Sequence, residues 1–176
     1  MVKRILLIAV TFSVLVFTGL LFLGSRTEPV YIIESEIILP ADVALSWEVL
    51  TDFSKYPEWN PYVPRIEGPF AEGEKLSFTV VDANFEAPLD LQAELGEIAL
   101  NEHFHWSGML LMPGLHDTLH GFILLDRGDG TTQLRHYEEF RGILPMVLPD
   151  RERRMAKTKA SFQKMNEALK GLLTDE

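Results

Sequence analysis

Two histidines and a glutamate hold most of the chemistry this sequence offers. In the segment TQLRHYEEF, Thr132 to Phe140, alternate side chains of a strand point to opposite faces. Leu134, His136, Glu138 and Phe140 therefore share one face, and Gln133, Arg135, Tyr137, Glu139 and Arg141 share the other. The apolar members mark the first face as inward. The same test turns His120, Phe122 and Leu124 inward on the preceding strand. On the strand before that, it turns Phe104 and Trp106 inward and leaves His103 and His105 facing water. The turn residues Gly128-Asp129-Gly130 join the two inner sets in an even-sum register. His120 is thus predicted opposite or diagonal to His136, and near Glu138.

Such a cluster has several readings. A His–Glu pair on the inner face of a sheet can orient the polar head of an apolar ligand, or act as an acid/base pair. Two histidines and a carboxylate can hold a metal. A buried carboxylate must also find partners, so a hydrogen-bonded structural cluster fits the same residues. The ligand anchor is the reading taken forward, with no metal and no cofactor expected and His103 and His105 treated as an exposed strand face. No nucleophile motif, phosphate-binding glycine loop or HExxH is present, although proton-transfer enzymes need none of these.

Composition narrows the partners. The 176 residues hold 16 Lys+Arg against 26 Asp+Glu, a formal net charge of −10, with no cysteine. Thiol catalysis, thiolate metal sites and disulfides are excluded. All the acids lie beyond residue 24, an acidity that opposes nucleic-acid binding and electrostatic docking onto anionic lipid.

Ile5 to Gly24 is twenty residues without a charge, about 30 Å as a helix, enough to cross a bilayer. The sequence Phe22-Leu23-Gly24-Ser25-Arg26 makes a poor signal-peptidase site, which favours a retained anchor. Lys3-Arg4 before the segment predicts a cytoplasmic N-terminus and a domain outside the cytoplasmic membrane. The expected organisation is an anchor over residues 1–24, a linker over 25–29 reaching at most about 17 Å, and one domain over 30–176.

Within that domain the period of the apolar pattern gives the element order. Val30 to Leu39 reads as a strand, and Pro40-Ala41-Asp42 opens a short helix with Val43, Trp47 and Leu50 on one face. Asp52 to Asn60 forms a second brief helical or turn segment. About six strands follow between Val63 and Gly142, separated by turn signals such as Glu72-Gly73, Asp82-Ala83-Asn84, Leu100-Asn101 and Pro113-Gly114. A long helix after Pro149-Asp150 buries Met155, Thr158, Phe162, Met165, Leu169 and Leu172. The result is an α+β domain, an antiparallel sheet wrapped on one long helix with room for a ligand between them.

Ile38-Leu39-Pro40-Ala41, the run Trp47 to Phe53, YPEWNP from Tyr56 to Pro61, Phe104 to Gly108, Pro113-Gly114-Leu115, His136 to Gly142 and FQKMNEALK together resemble the START-like (SRPBCC) superfamily, in particular its polyketide cyclase/dehydrase and lipid-transport branch. The resemblance covers Val30 to about Leu173. It implies a helix-grip fold, a bent seven-stranded antiparallel sheet on a C-terminal helix, with an apolar cavity between them. Function does not follow from the fold, which hosts carriers, receptors and cyclases alike.

The candidate cavity residues are Trp59, Tyr62, Phe78, Trp106, His120, Phe122, His136, Glu138, Phe140, Met155 and Phe162. Trp47 is expected in the core, whereas Trp59 and Tyr62 lie in a proline-interrupted loop that suits a cavity entrance. Two apolar connections, Met109 to Leu115 and Ile143 to Pro149, are expected either to form a mouth that meets the bilayer or to pack as inner strand ends. The function expected is a membrane-anchored domain that binds a lipid or other small hydrophobic molecule. The alternatives are a cyclase- or dehydratase-type enzyme using Glu138 with His136 or His120, and a non-catalytic module of a membrane assembly.

Overall fold

The computed structural model describes residues 2–26 and 28–174. Helix α1 (Val2–Arg26) is followed by strand β1 (Tyr31–Leu39), helix α2 (Val43–Thr51), a 3-10 turn at Phe53–Lys55 and the single-turn α3 (Tyr56–Trp59). Then come β2 (Arg65–Glu67), β3 (Lys75–Val80), β4 (Leu89–Ala99), β5 (His103–Met109), β6 (Asp117–Asp126) and β7 (Thr132–Arg141). The short α4 (Ile143–Val147) leads into the long α5 (Arg151–Thr174).

The seven strands form one antiparallel sheet in the order β1-β7-β6-β5-β4-β3-β2. From β2 to β7 this is a meander, and β1 completes the sheet by pairing with the last strand, β7. The sheet curves around α5 in the helix-grip arrangement. Asp42 starts α2 by accepting the Leu45 N–H at 2.9 Å, a side-chain cap of the kind that stabilises a helix start by about 1 kcal/mol.

Alternation along the strands places one set of side chains on the concave face, and the register aligns these into rows. One row is Trp106, His120, Glu138 and Ile33, across β5, β6, β7 and β1. The next row toward the hairpin end is Phe104, Phe122, His136 and Ser35. Trp47 of α2 packs edge-on against Phe104 and Phe70, and Phe53 makes edge contacts with Phe70 and Trp106. Such pairs contribute roughly 0.5–1.5 kcal/mol each beyond burial, and they seal this end of the sheet.

Helix α5 buries Thr158, Phe162, Met165, Asn166, Leu169 and Leu173. Leu172, expected on the stripe, is 39% exposed, and Leu173 takes its place at 5%. The reason is helical period: three turns of 3.6 residues span about eleven positions, so the face of Phe162 returns at residue 173. The expected linker also shortens, because α1 continues to Arg26 and takes in Ser25. Thr27, in the middle of that linker, lies outside the described residues, as do 175 and 176. The Val30 N–H already donates to the Phe140 carbonyl at 2.8 Å.

Over Val2–Phe22 helix α1 has a mean hydropathy of 2.7 and none of it is buried. Its length and composition are those of a membrane span or a signal sequence.

Candidate functional site

Between the concave face, α5 and the loops at the Asp117 end of the sheet lies a cavity of about 350 Å³. Its walls are mostly apolar: Ile33, Val63, Phe78, Val80, Leu89, Leu91, Trp106, Phe140 and Met155. Met109, Leu110, Leu144 and Leu148 close one end, and they come from the two apolar connections expected to form a mouth. Polar groups reach the wall at Glu138, His120, His116, Asp82, Asn84, Arg154, Thr118 and Thr158.

Glu138 begins a buried polar chain. Its Oε2 lies 3.9 Å from His120 Nδ1, His120 Nε2 lies 2.9 Å from His136 Nε2, and His136 Nδ1 lies 3.0 Å from Asn166 Oδ1. Rings hold the two imidazoles in place. Trp106 stacks on His120 at 4.6 Å, with planes 5° apart. Phe162 stacks on His136 at 3.9 Å, and Phe122 lies 4.5 Å from the same ring.

Electrostatics fixes the protons along the chain. Burial pushes the Glu138 carboxyl up to about 8, with a smaller rise from Asp82 and an opposing pull from His116. Burial takes His120 down to about 3. His136 falls well below the usual imidazole range through burial and the neighbouring His120, against a hydrogen bond to Asn166. Near neutral pH both imidazoles are therefore uncharged and Glu138 is largely protonated, so the 3.9 Å approach joins neutral groups.

With Asn166 Oδ1 toward the ring, His136 Nδ1–H donates to it and His136 Nε2 accepts from His120 Nε2–H. His120 Nδ1 then presents a lone pair toward the Glu138 hydroxyl. The Asn166 amide nitrogen is buried and has no partner among the described residues. An ionised Glu138 favours the reversed chain, in which His120 Nδ1–H points at the carboxylate and the Asn166 amide turns over. The arrangement can thus relay a change of protonation at the cavity wall to a buried amide 30 residues further along the chain from His136.

Of the residues singled out in the sequence, Tyr62, Phe78, Trp106, His120, Glu138, Phe140 and Met155 line the cavity. Phe122, His136 and Phe162 are fully buried behind that wall. Trp59 packs edge-on against Tyr56 at 4.9 Å and stays off the wall. The two-histidine, one-carboxylate metal arrangement is not formed. The Nε2 atoms are turned on each other, and Glu138 faces the opposite nitrogen of His120. No group of three potential ligands gathers elsewhere among the described residues.

Several polar residues of the site escaped sequence reasoning. Asp82 and Asn84 read as a turn. They do form one, with the Asn84 N–H donating to Asp82 Oδ1 at 2.7 Å, while Asn84 Nδ2 donates to the Arg154 carbonyl and to Thr158 Oγ1. Asp82 Oδ2 is buried and has no partner among the described residues. His116 ends an apolar run and lies edge-on to Phe140 at 5.8 Å, its pKa lowered chiefly by burial. Arg154 lies on the buried side of α5, four residues before Thr158, where a charged side chain interrupts the apolar pattern. Asn166 had one available signal: it falls four residues after Phe162, on the buried face.

The family model described as polyketide cyclase / dehydrase and lipid transport matches residues 32–174. Among solved structures, the Zhui aromatase/cyclase from Streptomyces sp. R1128 is similar with a TM-score of 0.65 at 16% identity, covering 82% of this chain and 93% of that one. A START superfamily protein from Mycobacterium smegmatis gives 0.64 at 14% identity, covering 82% and 97%. Norcoclaurine synthase from Thalictrum flavum, solved with dopamine and hydroxybenzaldehyde, gives 0.63 at 12% identity, covering 88% and 92%. At these identities the likeness is one of fold. No curated protein matches the sequence.

Proposed function

We infer function from the premise that the chain belongs to the polyketide cyclase/dehydrase and lipid transport family. On our reading, residues 30–176 form a START-like binding domain carried at a membrane by residues 1–24. The domain takes a lipid or another small hydrophobic molecule into the cavity between sheet and helix. The observation that carries this reading is the wall itself, a largely apolar enclosure of about 350 Å³ with the protonatable carboxyl of Glu138 set among aromatic rings. Apolar walls supply affinity, and a few convergent polar groups fix orientation. Protonated Glu138 can donate to a carbonyl or ether oxygen of the ligand, and Tyr62 and Trp106 flank the ring of His120 beside it. Lys3 and Arg4 favour a cytoplasmic N-terminus, with the domain on the other side.

Native mass spectrometry of the full chain, purified in detergent from its native host and followed by lipid and metabolite extraction, tests this. A stoichiometric apolar molecule that is lost from Glu138→Gln supports the anchor role. A chain that carries no such molecule under these conditions counts against it.

A second reading has its own support in the chain from Glu138 to Asn166. A carboxyl held near pKa 8 beside neutral imidazoles is poised for proton transfer at neutral pH. A cyclase- or dehydratase-type reaction on an apolar substrate would use Glu138 as the acid or base, with His120 behind it. Glu138→Gln separates the readings, because loss of turnover with binding kept favours the enzyme.

A further inference from the structure

The end of α1 is docked on the cavity mouth. A Cβ on Gly24 would lie 2.6 Å from the Gly114 carbonyl oxygen and 3.3 Å from Gly142 Cα, and a Cβ on Gly114 would lie 1.8 Å from the Leu21 carbonyl oxygen. Gly114 and Gly142 also sit at φ +80° and +99°, in the region where side chains are disfavoured. Backbone therefore meets backbone where the helix ends. Leu21 is one residue short of the end of the apolar stretch Val2–Phe22. At about 1.5 Å of rise per residue, the Gly114 loop stands level with the boundary of that stretch.

The same two connections carry exposed apolar side chains. Leu111 is 83% exposed in a left-handed conformation at φ 65°, one a leucine seldom adopts. Met146 and Val147 of α4 are exposed, while Leu144 and Leu148 of the same segment line the cavity. Apolar side chains gathered on one end of a domain mark a contact surface. Exposed Arg151 and Arg153 follow directly at the start of α5, where lipid headgroup phosphates would lie.

We propose that the occupant of this surface is the bilayer itself. Leu111, Met146 and Val147 enter the interfacial layer, the glycine junction holds the mouth at that depth, and ligand passes between cavity and lipid without crossing water. The proposal rests on reading α1 as a retained membrane helix and the cavity as a lipid-binding site.

The chain has no native cysteine, so Leu111→Cys and Met146→Cys each give a unique site for an environment-sensitive fluorophore. Leu100→Cys is the control, 72% exposed on the β4–β5 turn at the far end of the sheet. The labelled full-length chains are placed in vesicles of phosphatidylcholine and phosphatidylglycerol, with and without lipid carrying a nitroxide high on the acyl chain. The expected result is blue-shifted emission and several-fold stronger nitroxide quenching at 111 and 146 than at 100. Unquenched labels at 111 and 146 on chains that resist carbonate extraction would overturn the proposal and leave the anchor standing. A blue shift without quenching would mean that protein, including a second copy, covers the patch, and would overturn it too. Release of the chain by carbonate would remove the anchor and the proposal together.

Discussion

His120 and His136 face each other Nε2 to Nε2 at 2.9 Å, although they are not direct cross-strand partners. His120 lies opposite Glu138 and His136 opposite Phe122, so the two imidazoles meet on the diagonal. One of the two nitrogens must carry the proton and the other must accept it. Each histidine's tautomer therefore fixes the other's, and Asn166 at one end and Glu138 at the other decide between the two directions.

That dependence makes Asn166 the lock of the chain. Asn166→Leu removes the acceptor of His136 Nδ1–H and leaves a buried donor unpaired, which costs about 1–3 kcal/mol. Thermal or urea unfolding of the two proteins should show a loss in that range. Equal stability would mean that water or another group satisfies His136.

The pH dependence of stability follows from the same groups. His120 and His136 take up protons in the unfolded chain below about 6.5 but resist them when folded. Their contribution is thus complete above 6.5 and is lost as pH falls toward 3. Glu138 has the opposite sign, with a folded value near 8 against 4.5 unfolded, so its contribution is complete below 4.5 and is lost as pH rises to 8. Between 4.5 and 6.5 the two histidines outweigh the one glutamate, and above 6.5 the glutamate acts alone. Stability due to these groups should peak near pH 6.5. Glu138→Gln should flatten the decline between 6.5 and 8 and steepen the rise between 4.5 and 6.5, leaving the slope below 4.5 unchanged, as Tm measured across pH would show.

The inward set of the sheet was legible from alternation alone, because a strand's side-chain period is fixed by its backbone. That His120 lies opposite or diagonal to His136 followed from two apolar faces and one turn, and the register makes the meeting diagonal. How far the cavity extends along that face was not legible. Trp106 and Glu138 line it, while Phe122 and His136, one row further, are sealed under α2 and α5. That depth depends on where helices far off in sequence settle on the sheet. Asp82, Asn84 and Arg154 escaped for a related reason, since a turn and a charged side chain on a helix carry no apolar periodic signal. The docking of Gly24 on Gly114 and Gly142 was equally hidden, because glycine in a loop is expected for many reasons and a contact 90 residues away is only one of them.

Phe162 should be the most costly single truncation on α5. It is fully buried, stacks on His136 at 3.9 Å and makes edge contacts with Tyr62 and His120. Phe162→Ala leaves a void among rigid rings and should destabilise the domain by about 3–5 kcal/mol. Denaturant unfolding would read this as a lower midpoint with an unchanged slope. A cost under about 1 kcal/mol would mean that the rings collapse into the space.

The cavity itself can be tested by filling it. Leu91 lies opposite Phe78 in the β3–β4 ladder, is half-buried and lines the cavity, so Leu91→Trp adds bulk in the space where a ligand would sit. Because that space is open, the added ring has somewhere to go, and stability should change by less than the roughly 1–3 kcal/mol typical of overpacking a filled core. Co-purifying apolar ligand should fall at least tenfold in native mass spectra of the full chain, a loss of about 1.4 kcal/mol of binding free energy or more. Ligand retained at the wild-type level in a folded Leu91→Trp protein would place the binding site elsewhere.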